Sequence, residues 1–150
     1  MEIKVHTSSK RLPEFIKQTA AFYAKELGIL NSRYQLVIVT DPTLKAEGNN
    51  GLCFRTGQKQ ITVALYSRLS LIKMLYTLAH EMVHVKQFVR GQYKSETKRG
   101  TTHHYWMGKR VIAKYLKRPW EIEAFGRESI LVETLGEHVT KNLKKKNKKR

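Results

Sequence analysis

Between Ser67 and Arg90 the apolar residues Leu71, Met74, Leu75, Leu78, Met82 and Val85 recur at steps of three and four, which places them on one face of a helix. No other stretch constrains the fold as strongly. Ser67 or Ser70 is placed to cap its start and Gly91 to stop it. The segments before it change period. Tyr34 to Thr40 holds the run Leu36-Val37-Ile38-Val39, closed by Asp41-Pro42, which reads as a buried strand. Leu52 to Arg55 and Ile61 to Tyr66 flank the polar Thr56-Gly57-Gln58-Lys59 and follow the turn signal Asn50-Gly51, which predicts a hairpin.

An amphipathic first helix is predicted from Pro13 to Leu27, carried by Phe15, Ile16, Phe22, Tyr23 and Leu27 and ended by Gly28. Gly91 to Lys117 lacks a clear period and reads as a loop with room for short strands. Pro119 suits the first position of a last helix, along which Ile122, Phe125, Ile130, Leu131 and Leu135 continue an apolar stripe. Beyond Thr140 the lysine run is expected to be disordered. The predicted class is α+β: one domain over 1–140 and a basic tail over 141–150.

Composition narrows the setting. At 150 residues with 41% hydrophobic residues, the chain is long enough to bury a core of its own. Its one cysteine, Cys53, has no partner for an internal disulfide, and no charged-then-apolar leader follows Met1, so an intracellular, cytoplasmic setting is expected. No apolar run approaches the ~20 residues of a membrane span. The formal charge is +17. Seven of the last ten residues are Lys or Arg, yet without them 22 basic residues still face 12 acidic ones. Such a field favours an anionic partner, nucleic acid first, with Lys144, Lys145, Lys146, Lys148, Lys149 and Arg150 as candidate contacts. No zinc-finger spacing, ribonucleoprotein motif or basic zipper is present, so such contact is expected to be mainly electrostatic.

The chemistry lies in His80-Glu81-Met82-Val83-His84. Histidines four apart sit about 40° apart around a helix and one turn along it, so both rings can converge on one ion. Glu81, about 100° around from His80, is too far to join them but close enough to reach a water on the metal, where it serves as general base. A catalytic zinc normally takes three protein ligands and keeps one open position. In Pro119-Trp120-Glu121-Ile122-Glu123-Ala124, Glu121 shares a face with Ala124, Phe125 and Glu128, and Glu123 points about 200° away. The small Ala124 favours a close approach of this helix to the central one, and so favours Glu121 as third ligand over Glu123. His103, His104 and Tyr105 are candidates to stabilise an oxyanion, and Gln87, one turn after His84, is placed to brace a ligand.

The stretch His-Glu-Met-Val-His-Val-Lys-Gln from His80 to Gln87, followed some thirty residues later by Arg-Pro-Trp-Glu-Ile-Glu-Ala, resembles the SprT-like and gluzincin-type metallopeptidase domains often encoded by bacteriophages, over most of residues 10–140. The resemblance implies a minimal zincin core: a helix, a small twisted three-stranded sheet, the HExxH helix and a ligand-bearing C-terminal helix. It implies Zn2+ held by His80, His84 and, in the gluzincin manner, Glu121; the third histidine of SprT itself would fall on His103 or His104. Where gluzincins often have Asp four residues after the ligand Glu, Phe125 stands, and His84 is left without an identified partner. The resemblance further implies a protein or peptide substrate, and virion or phage proteins as partners in a host cytoplasm or virion. The expected function is hydrolysis of peptide bonds, with the substrate added as a strand to the sheet edge. The alternative is a basic nucleic-acid-associated or virion structural protein with a zincin fold and little or no peptidase activity.

Overall fold

The computed structural model describes residues 1–8 and 12–150. It is an α+β molecule of three long helices and two sheets. The first sheet joins β1 (Glu2–His6), β2 (Gln35–Asp41), β3 (Gly51–Gly57) and β4 (Gln60–Tyr66) in the order β1-β2-β4-β3. β1, β2 and β4 run parallel, and β3 returns antiparallel to β4 at the edge. The sheet thus has four strands, where three are expected. The added strand, β1, is only five residues long, and its signal is the alternation of Ile3 and Val5 with polar neighbours. Along β2, Leu36 and Ile38 are fully buried while Val37 and Val39 are half-buried, so one face of the sheet supplies the core.

Helices α1 (Pro13–Glu26) and α2 (Leu71–Val89) contribute to that same core. Ile16, Ala20, Tyr23 and Ala24 of α1 join Ile61, Val63 and Leu65 of β4 and Met74, Leu78, Met82 and Val85 of α2 in one cluster. The Ser70 hydroxyl accepts from the Lys73 amide at 3.4 Å and caps α2. Gly28 and Gly91, both at positive φ, follow α1 and α2 as their apolar periodicity predicts. From Leu78 to Gln87 only His84 of α2 escapes full burial, because α3 (Pro119–Lys148) covers the side that the sheet leaves open.

Two expectations are corrected. Gly91 to Lys117 goes beyond a loop with room for short strands: it forms β5 (Tyr93–Lys98), β6 (Thr101–Trp106) and β7 (Lys109–Val111), an antiparallel meander, and then a 3-10 turn at Tyr115–Lys117. Its turns, Arg99-Gly100 and Met107-Gly108, have positive φ at both residues, the geometry that closes two-residue hairpins. Arg and Met are poor advertisements for that turn, which is why it escapes notice in the sequence. The tail is not disordered either, since α3 runs on through Lys148. After Gly136 no Gly or Pro interrupts it, and Lys and Leu are good helix formers.

Candidate metal centre

Ala124 is fully buried, and with no side chain beyond Cβ it lets α3 come close to α2. One turn earlier, Glu121 is carried to the two histidines of α2. The Glu121 Oε2 stands 3.2 Å from His80 Nε2 and 3.5 Å from His84 Nε2, and the two Nε2 atoms are 3.2 Å apart. Ligands held tetrahedrally at about 2.0–2.2 Å from a zinc ion lie about 3.3–3.6 Å from one another. The three donors therefore already have the spacing of three corners of such a site, and among the described residues they form the group able to hold a metal ion.

The rest of each ring dictates which nitrogen carries the proton. His80 Nδ1 lies 2.8 Å from Glu128 Oε2, a carboxylate oxygen that can only accept. His84 Nδ1 lies 2.8 Å from Gln87 Oε1. That amide cannot be reversed, because Gln87 Nε2 donates to the Trp120 carbonyl at 2.9 Å and to Glu123 Oε1 at 3.2 Å. Both neutral imidazoles thus keep their hydrogen on Nδ1 and turn an Nε2 lone pair toward the Glu121 carboxylate. Three acceptors meeting in a buried place call for a cation. In the metal-free chain protons answer that call. Burial alone would lower the pKa of both histidines, but the hydrogen bond to Glu121 and the charge of Glu81 outweigh it and the net shift is upward. Burial pushes Glu121 the other way, yet its bonds to His80 and His84 hold it down at about 2.

Glu81 stays out of this cluster. Its carboxyl is buried, which raises its pKa against the lowering charges of His84 and His80. It faces a cleft of about 280 Å³. Asn49, Asn50, Gly51, Tyr115 and Phe125 line it together with His80 and Glu128. Gly51, the first residue of β3, is there because Glu81 fills the space of its missing side chain. A Cβ on Gly51 would lie 2.9 Å from Glu81 Oε1 and 2.7 Å from the Thr77 methyl. Burial and the nearby Glu121 carboxylate raise the pKa of the Tyr115 hydroxyl to about 12, so it stays a proton donor.

Of the predicted site residues, the structure gathers His80, Glu81, His84 and Glu121. Glu123 is elsewhere: its carboxylate accepts from Lys86 Nζ at 2.7 Å and from Gln87, so it braces the brace of His84 and is no ligand. His103, His104 and Tyr105 lie on β6, away from the cleft. His104 Nδ1 is 2.8 Å from the Tyr93 hydroxyl, and its ring packs on Trp120, which corrects their assignment as ligands or oxyanion donors. Lys144 to Arg150 sit exposed at the far end of α3. The sequence reading misses Glu128, Tyr115 and Gly51. Glu128 was legible as sharing a face with Glu121; the other two arrive from a short turn and a strand end, where no period points.

No protein-family model matches the chain, and searches of curated proteins and of solved structures return no match. Among the described residues no helix is long and apolar enough to cross a membrane.

Proposed function

We propose that the chain is a zinc-dependent peptidase of the SprT-like or gluzincin kind, with His80, His84 and Glu121 as ligands and Glu81 as general base. The observation that carries this reading is the convergence of two Nε2 lone pairs and a carboxylate oxygen at 3.2–3.5 Å, each ring locked from behind by Glu128 or Gln87. Two histidines and a glutamate with an open side are a donor set suited to catalytic zinc. Bound there, zinc would act as a Lewis acid toward a carbonyl and make water acidic near neutral pH.

The chain's own groups supply the rest. Glu81 borders the cleft without a hydrogen bond to either ring, so its oxygen is free to take a proton from the attacking water and pass it to the leaving amine. Its raised pKa suits it to both transfers. The hydroxyl of Tyr115, which lines the same cleft, replaces the β6 residues as the donor for the oxyanion. β3 is the sheet's last strand and begins in the cleft at Gly51, so a peptide paired to its free edge would run past Glu81.

The test is metal analysis of protein purified without added zinc, followed by Glu81→Gln. The variant is expected to keep one zinc per chain and to lose at least about 100-fold in hydrolysis of labelled casein. Cleavage at the parent's rate by Glu81→Gln would remove Glu81 from the chemistry, and absence of zinc from the parent would remove the reading altogether.

A further inference from the structure

The β5–β7 meander covers little core, yet it holds the molecule's most lopsided charge. From Tyr93 to Arg118 eight Lys or Arg residues face one acid, Glu96. Among the described residues only Lys98 of these has an ion pair, with Glu96 at 3.6 Å. A surface that served solubility alone would intersperse the two signs.

The register sorts the sheet into two faces. Directly paired residues share a face, so Tyr93, His104 and Trp106 belong together, and they pack on Trp120 against the body. The opposite face looks outward. There Tyr105 pairs with Lys94 on one side and with Arg110 on the other, one rung of cation, aromatic ring and cation across all three strands. His103 follows two residues along on the same face, paired to Glu96. Beside it a groove of about 310 Å³ is lined by Thr101, Thr102, His103, Arg110 and Arg118. At the tip of the first hairpin Arg99 holds a positive φ of 51°, a conformation that costs a non-glycine residue about 1 kcal/mol or more.

We propose that the outward face of the β5–β7 sheet binds single-stranded nucleic acid, with a base stacked on Tyr105 and phosphates held by Lys94 and Arg110. Strands of phosphodiester match the unpaired cations, and a half-buried ring set between them, with part of its surface open, is the platform that unpaired bases use. An anionic membrane fits less well, because beside Lys94, Glu96, Lys98, Thr101, His103, Tyr105 and Arg110 the groove offers one strongly exposed aliphatic side chain, Ile112, to enter the acyl region. The site stands apart from the metal centre and does not depend on the peptidase reading.

The experiment is fluorescence anisotropy of a fluorescein-labelled 20-mer of thymidylate with the full chain at rising salt. Binding should weaken steeply with salt. Tyr105→Ala should weaken it roughly tenfold or more, with Tyr105→Phe close to the parent, and Arg110→Ala should reduce the log–log salt slope by about 0.7. A full-length variant with Lys144, Lys145, Lys146, Lys148 and Lys149 changed to Gln should still respond to Tyr105→Ala. The proposal falls if the parent does not bind the oligonucleotide, if a duplex of the same length or phosphatidylserine vesicles bind better, or if Tyr105→Ala and Arg110→Ala bind like the parent. Arg110→Ala, at an exposed position, keeps the test valid should Tyr105→Ala misfold.

Discussion

Gly51 has ordinary strand geometry, so its lack of a side chain matters only for space. Adding a methyl group there sets it 3.0 Å from Glu81 Cγ as well as against the carboxylate and Thr77, and α2 is buried too tightly to yield. Gly51→Ala is expected to keep zinc, to lose about 1–3 kcal/mol in urea denaturation, and to lower casein hydrolysis at least tenfold; full activity would show that Glu81 tolerates displacement. Gln87 and Glu128 act behind the ligands. Each fixes one Nδ1–H, and Gln87→Ala or Glu128→Ala should lower zinc affinity about 10- to 100-fold in competition with a chelator. The motif announced His80, Glu81 and His84, and shared helix faces announced Glu121. Gln87, one turn from His84 on the same helix, was announced as a brace; the Glu128 partner of His80 was not, since it depends on how α3 seats against α2.

Helix α2 is the element whose sequence leaves least freedom: its apolar stripe, cap and stop all agree. The meander is the opposite case. Its strands are largely polar, Lys-Ser-Glu-Thr-Lys on β5 and Thr-Thr-His-His on β6, and so carry no alternation of apolar with polar. What holds them is pairing across two tight turns and the seating of Tyr93, His104 and Trp106 on Trp120. Both turns pair a strained residue with glycine, with φ of 51° at Arg99 and at Met107. Asn tolerates that region far better. Arg99→Asn and Met107→Asn should each raise stability by about 0.5–1 kcal/mol, read from the urea midpoint. A fall in the midpoint would mean that these side chains contribute contacts that outweigh the strain.

For the whole molecule the proposed metal centre would link stability to pH and to zinc. The folded-state pKa values of His80 and His84 lie above the ordinary 6.5. A group raised on folding stabilises fully below its unfolded value, and that contribution is lost as pH rises through the folded value. The metal-free chain should therefore lose melting temperature between pH 6 and 8. Zinc bound at the proposed centre would replace the protons: at 100 times its dissociation constant it should add about 2.7 kcal/mol, or about 5–10 °C for a chain of this size. Differential scanning calorimetry with zinc or EDTA at the two pH values checks both, and a zinc-independent melting temperature at pH 8 would sink the linkage. Acid should release the metal, because the same histidines must be unprotonated to bind it.

Residue order alone settled what repeats locally: the α1 and α2 stripes with their glycine stops, the β2 run, the β3–β4 hairpin, and two histidines one turn apart. These follow from periods of two and 3.6 that show within a short window of those segments. Packing decided the rest. Whether Glu121 or Glu123 meets the histidines, whether His103 reaches them, and why Gly51 must lack a side chain are questions of distance between residues 19 to 43 positions apart. Such distances arise from the seating of α3 on α2 and of β3 beside it, and no local pattern encodes them.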